Sequence, residues 1–357
     1  LRVIEWPPSS RAFPDQSRGA NEAVRRVVQE LNGSFVTTVA AGRLWLRNCF
    51  SNFLHLDEIL DAPRRPQGRP ILLAAPGPSL EDAAGVMETV RDRTALWALP
   101  SSCPFLMARG LVPDLVVMTD PGFYALHHLQ FAAPPCPIVM PLSAARGTWA
   151  LRPRPPVMLL EQPFLVERTL LAAAGIKAPS VPPHGTVTAT ALELALAYTS
   201  GPVVVAGLDL GSRDLLSHAR PNAFDTLLHL EVSRLQPHLA QWFTRDTLSG
   251  AAAVSGVHGF RNTPALRTYA GWLDSGFQSA RSRLFRLLPS PAELSSMTAL
   301  DGPAFARLLA PFAPDSAGSP RTPMAGWPAP GARRATAGRL LEQWLHAVME
   351  ATGALHG

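Results

Sequence analysis

Four short turns carry the residues in this chain that could do chemistry. Each follows an apolar run or opens a helical pattern: Pro76-Gly77-Pro78-Ser79, Thr119-Asp120-Pro121-Gly122, Pro183-His184-Gly185-Thr186 and Gly207-Leu208-Asp209. The first has the form of a strand, a tight turn and a helix start. Unpaired first-turn N–H groups and the helix dipole favour an anion there. Ser79 with Asp82 three residues on fits a capping box, the acid standing in for Glu. The glycines allow close backbone approach, and Ser79 and Thr186 supply neutral hydroxyls. Asp120 and Asp209 can receive ribose hydroxyls or hold a metal. Any one of these turns also serves as a plain β–α connection. Four on one sheet edge argue for a site.

Such turns need a scaffold. Short apolar runs at Ile71–Ala75, Ala95–Leu99, Leu115–Thr119, Ile138–Leu142, Val157–Leu160, Val203–Ala206 and Leu284–Leu288 predict strands. Helical patterns lie between them, near Leu80–Arg91, Cys103–Arg109, Tyr124–Phe131, Phe164–Ala174, Val187–Tyr198 and Thr263–Ser279. The alternation predicts an α/β fold, a mostly parallel sheet with helices on both faces, over residues 67–290. Ligands in such sheets bind at the carboxyl ends of the strands, where the four turns fall. Residues 1–66 read as a helical N-terminal region, with an apolar stripe from Ala40 to Leu60. Residues 291–357 read as a Pro/Ala-rich linker and a C-terminal helix, Gly338 to Thr352, which needs a docking surface.

Composition excludes several classes. The 357 residues carry a net charge of +5, and Lys177 alone among the 32 basic residues is a lysine. The bases are dispersed, which argues against a nucleic-acid groove and fits a mild field for phosphorylated small molecules. No stretch approaches the ~20 apolar residues that span a bilayer, and Leu1–Asp15 lacks signal-peptide character. The expected compartment is the cytoplasm. Cys49, Cys103 and Cys136 are scattered, which predicts reduced core thiols and no zinc site. His127 and His128 adjoin on a helical pattern and read as a solvated face. His218, His229 and His238 show no metal-ligand spacing. Arg213, Arg220 and Arg261 follow candidate sites; each could fork a phosphate or carboxylate, or lie on the surface.

The order GPSL, then DPG closing VPDLVVMTDPG, then GTV opening a helix, then VVVAGLDL, resembles the motility-associated-factor (Maf) glycosyltransferase family over roughly residues 40–290. VIEWPPS and LWLRNCFSNF resemble spirochaete-type members. The resemblance implies a Rossmann-like nucleotide-sugar-binding domain. It implies transfer of a nonulosonic, sialic-acid-like sugar from a CMP-sugar donor to a protein hydroxyl such as a flagellin Ser or Thr. It extends to bacterial CMP-sialic-acid sialyltransferases and to an archaeal 6-hydroxymethylpterin pyrophosphokinase. The implied donor contacts are Gly77, Pro78, Ser79, Asp120, Pro121, Gly122, Gly185, Thr186, Gly207 and Asp209. Ala75 and Pro76 stand where the sialyltransferases have Gly and Asn, and Asp120 replaces an Asn.

Ser255-Gly256-Val257-His258-Gly259-Phe260-Arg261-Asn262-Thr263 resembles the Gly-His-x-x-Asn-Thr segment that carries the sialyltransferase base. His258 is thereby the implied base, His184 the next candidate, and Asn262-Thr263 the start of the following helix. Two other functions stay open. One is a nucleotide-dependent pyrophosphokinase acting on a pterin, with Mg²⁺ on Asp120 and Asp209, although the chain has no Gly-x-x-x-x-Gly-Lys loop. The other is a non-catalytic flagellin-binding relative. Mg²⁺ is an optional companion of the donor in the first reading, and the expected partners are the nucleotide-sugar and the acceptor protein.

Overall fold

A computed structural model describes the chain apart from residues 1–3, 5, 62–67, 183, 249–251, 254–258, 315–321 and 354–357. It divides into two units, Leu1–Arg47 and Asn48–Gly357. The first consists of helix α1 (Pro7–Ala12) and most of α2 (Pro14–His55), with Trp6, Phe13, Phe35 and Val39 exposed.

The second unit holds the sheet. Its strands are β1 (Ile59–Leu60), β2 (Ile71–Ala74), β3 (Ala95–Ala98), β4 (Leu115–Val117), β5 (Ile138–Met140), β6 (Val157–Leu159), β7 (Val203–Ala206), β8 (Ser212–Arg213), β9 (Ala252–Ala253), β10 (Phe260–Asn262), β11 (Leu284–Leu287) and β12 (Thr298–Leu300). Its helices are α3 (Leu80–Val90), α4 (Cys103–Ala108), α5 (Phe123–Phe131), α6 (Leu165–Ala173), α7 (Val187–Tyr198), α8 (Ala223–Leu230), α9 (His238–Leu248), α10 (Pro264–Gly276), α11 (Gly302–Leu309) and α12 (Pro330–Gly353).

Nine strands form one sheet in the order β1-β6-β5-β4-β3-β2-β7-β11-β12. Every described pairing in it is parallel. Strands β1 to β7 are short and wholly apolar because both faces are covered there, whereas β11 carries Arg286 and the edge strand β12 carries Thr298. Leu72, Ala74, Val204 and Ala206 pack with α3 on one face; Ile71, Leu73, Val203 and Val205 pack with α7 on the other. Each fully buried leucine contributes ~1.5–3 kcal/mol. The expected mostly parallel, Rossmann-like α/β sheet is therefore present.

From β2 the chain builds outward through β3, β4, β5 and β6; it then returns to lay β7, β11 and β12 on the other side. The order reverses between β2 and β7, which register Ile71 on Val203 and Ala74 on Ala206. A crevice opens at the carboxyl ends of such a pair.

All seven expected strands lie in this sheet. Edge strands β1 and β12 extend it beyond residues 67–290. A small antiparallel sheet, β8-β10-β9, and helices α8 and α9 were not expected from the sequence. Helix α12 begins eight residues before the expected Gly338. It docks on the end of α2: Arg333, 1% exposed, donates to the carbonyls of Phe53 (3.0 Å) and Leu56 and to Asp57 Oδ1 (2.6 Å). The three cysteines are buried free thiols.

Candidate functional site

At the switch point two backbone segments cross in contact. Gly77 N donates to Gly207 O at 2.8 Å. A Cβ on Gly77 would stand 2.5 Å from that oxygen and 2.6 Å from Asp209 Oδ2. Gly207 has φ +71°, and a Cβ there would strike the Ala75 carbonyl. Glycine is required at both places.

The crossing delivers Asp209, 4% exposed, to the N-terminus of α3. Its Oδ2 accepts from Ser79 N at 2.7 Å, and its Oδ1 accepts from Ser79 Oγ. The carboxylate thus occupies the position that helix N-termini offer to anions. Burial pushes its carboxyl up, against the lowering pull of the Ser79 bonds and of Arg213.

The Ser79–Asp82 capping box is not formed. Ser79 is itself helical (φ −65°, ψ −12°) and makes no cap bond, because its hydroxyl goes to a buried carboxylate, a stronger acceptor. Asp82 pairs instead with Arg213 Nη1. Arg213 Nη2 also donates to Pro78 O at 3.0 Å, Ala219 N to Pro76 O at 2.8 Å, and Arg220 N to Glu81 Oε1 at 2.8 Å. Residues 212–220 therefore strap down the turn, and Gly77, Pro78 and Ser79 are buried.

The open space lies beyond the strap. A cavity of ≈310 Å³ is lined by Ser212 and His218 of the strap, Phe224 of α8, Trp242 and Arg245 of α9, and Arg261 of β10. The His218 Nδ1 lies 2.8 Å from Ser217 Oγ. Its ring packs 5.1 Å from Phe224 and 6.2 Å from His128. Burial, with the nearby Arg245 charge, pushes its imidazole down to about 4, so it is neutral at pH 7. His128 corrects the sequence reading of a solvated face: it is 3% exposed, and burial, then His218 and His127, push it down to about 3.

The other predicted residues sit along the same edge. Asp120 is exposed and closes an Asx turn, its Oδ1 accepting from Gly122 N at 2.6 Å ahead of α5. One step into α5, the Tyr124 ring lies 5.3 Å from Phe224, so this turn adjoins the cavity wall. Thr186 caps α7, accepting from Ala189 N at 3.1 Å. A Cβ on Gly185 would stand 2.9 Å from the Trp272 ring. His184 stacks on Phe277, with Nε2 3.8 Å from Glu193; burial lowers it and Glu193 raises it. Gly77, Pro78, Ser79, Gly207 and Asp209 thus form one cluster. Asp120–Gly122 lies at the end of β4, two strands away, and Gly185–Thr186 lies at the head of α7 on the other face. His258 lies outside the described residues. Thr263, five residues on, caps α10 by accepting from Leu266 N at 3.2 Å, as the sequence suggests.

Sequence reasoning missed two further elements. Asn48 and Asn52, both 0% exposed, clamp the strand-end loops. Asn48 Nδ2 donates to the carbonyls of Pro121 (3.0 Å) and Ser143 (3.1 Å), and Asn52 Nδ2 to those of Leu142 (2.8 Å) and Ala144 (2.9 Å). Their i,i+4 spacing inside an apolar helical stripe was the available signal. Glu167, also 0% exposed, accepts from Ser143 N and Gln162 N at 3.0 Å each; burial dominates and pushes it up to about 7. Among the described residues, no group of three His, Cys, Asp or Glu side chains is placed to hold a metal, and no helix is long and apolar enough to cross a membrane.

Residues 44–214 match the family described as 6-hydroxymethylpterin diphosphokinase MptE-like. Three uncharacterized proteins of Treponema pallidum (strain Nichols) are similar in sequence. One is 26% identical over 80% of this chain and 59% of its own length, and a second is 28% identical over 34% and 60%. Among solved structures, a Maf glycosyltransferase from Magnetospirillum magneticum shares the fold, with a TM-score of 0.51 and 16% identity over 75% of this chain. The chain spans about three fifths of the first relative and 40% of that glycosyltransferase. Residues 44–214 are thus MptE-like in sequence, and the chain shares its fold with a Maf glycosyltransferase.

Proposed function

We propose that the protein is a nucleotide-sugar-dependent glycosyltransferase, taking a nonulosonic sugar from a CMP donor to a protein hydroxyl such as a flagellin Ser or Thr. The observation that carries this reading is the open cavity beside the switch point, in a fold shared with a Maf glycosyltransferase. The Ser79–Asp209 cluster positions the loop that lines that cavity. The donor runs along the carboxyl edge from the Asp120 turn, whose carboxylate suits ribose hydroxyls, toward His218 and Arg245. In an inverting transfer the acceptor oxygen bonds to the anomeric carbon as the bond to the donor phosphate breaks. The hydroxyl proton passes to an imidazole, assigned to His258 by its sequence segment.

The MptE-like match favours a second reading, diphosphate transfer from ATP to a pterin. The carboxylates fit its Mg²⁺ poorly. Asp209 is buried with both oxygens on Ser79, and Asp120 Oδ1 is engaged by Gly122 N.

A thermal-shift panel tests the choice, because selective binding raises the melting temperature. CMP and a CMP-sugar should stabilise the protein without Mg²⁺, and ATP should not. Selective stabilisation by ATP with Mg²⁺ would replace this reading by the kinase. Stabilisation by CMP-sugar with no turnover would point to a non-catalytic binder.

A further inference from the structure

We propose that the cavity between the strap and α9 is a subsite for a single anionic sugar ring. This rests on the transferase reading and names where the sugar half of the donor is held. Size is the first argument. At ≈310 Å³ the cavity is at the small end of small-molecule sites, ~300–1,000 Å³, with room for one ring rather than a whole nucleotide-sugar.

Chemistry is the second. Phe224, Trp242 and His218 supply flat faces that suit the C–H faces of a sugar. Arg245 stands over the Phe224 ring at 5.9 Å and joins Arg261 on the wall. Guanidinium groups bind carboxylates and phosphates by paired hydrogen bonds. Asp225 also lines the cavity, but its Oδ2 accepts from Asn222 Nδ2 at 3.0 Å. That bond partly spends the carboxylate that would repel an anion. Ser212, Ser217 and the neutral His218 ring offer partners for sugar hydroxyls. Position is the third. Gly211 and Ser212 on the cavity wall directly follow the Gly207-Leu208-Asp209 turn, so the subsite adjoins the edge where the rest of the donor lies.

Calorimetry on the full chain tests this with three probes: N-acetylneuraminate for a carboxylate, glucose 6-phosphate for a phosphate, and neutral N-acetylglucosamine. At least one anionic sugar should bind about tenfold or more tighter than the neutral one, and which one identifies the acid group. Arg245→Ala, at an exposed position, should weaken that binding about tenfold. Trp242→Phe should remove the fluorescence change that accompanies it. No binding of either anionic sugar at about 10 mM, or unchanged binding in both variants, overturns the proposal. If CMP stabilises the protein while these sugars fail, the subsite is wrong and the transferase reading stands. If the sugars bind as predicted but no nucleotide-sugar is turned over, the reverse holds.

Discussion

Replacing Asp209 probes the contact that ties the two halves of the sheet together. In Asp209→Ala, Ser79 N–H and Ser79 Oγ–H lose their partner in a place where Ser79 is 1% exposed. An unsatisfied buried donor costs ~1–3 kcal/mol, so two cost ~2–6. Loss of the anion from the α3 N-terminus adds ~0.3–1 kcal/mol. Against this, removing a buried carboxylate relieves its desolvation, the dominant influence on its acidity. The balance is a loss of about 2–4 kcal/mol. Asp209→Asn keeps an acceptor for Ser79 N and gives Ser79 Oγ a donor, so it should cost about 1 kcal/mol. Urea unfolding followed by tryptophan fluorescence measures both. An alanine variant within about 1 kcal/mol of wild type, or an asparagine variant as unstable as the alanine, would refute the reasoning. The second outcome would mean that charge, not hydrogen bonding, holds the crossing.

Two further perturbations test neighbouring parts of the scaffold. Glu167 releases its proton near 4.5 when unfolded but holds it until about 7 when folded. The folded state binds more protons across that window, so its contribution falls as pH rises from about 4.5 to about 7, by ~3 kcal/mol in all. The depressed His128 and His218 act in the opposite sense below about 6.5, so the readout is the difference between wild type and Glu167→Gln; a difference flat from pH 5 to 7 would show Glu167 ionised in the fold. Arg333→Ala should cost about 1–3 kcal/mol and speed hydrogen exchange in α12, because it takes a donor from the Phe53 carbonyl and from Asp57 while Leu56 O keeps Trp327 Nε1; unchanged exchange would mean that α12 docks without it.

The strands at Ile71 and Val203 are legible because both faces of a parallel sheet are buried, which writes unbroken apolar runs into the chain. Strand order is not. Nothing local states that β7 pairs with β2, and the Ser79–Asp209 tie joins residues 130 apart. The anion site at α3 is legible as a pattern, but that Asp209 fills it depends on the pairing. Edge strands β1 and β12 have two and three residues, too few to show a period. The cavity escaped reading because α8 and α9 mix polar and apolar residues, and its walls come from four separate stretches of chain. His218 shows the limit plainly: a lone histidine in a Ser- and Arg-rich loop gains its meaning only from Phe224, His128 and Arg245 around it.

The most direct test of transferase function is product analysis with the purified chain. Incubated with CMP-N-acetylneuraminate, it should release CMP with net loss of the donor. Incubated with ATP, Mg²⁺ and 6-hydroxymethyl-dihydropterin, it should form no pterin diphosphate. Pterin diphosphate formation without CMP release would contradict the account and make the protein a diphosphokinase.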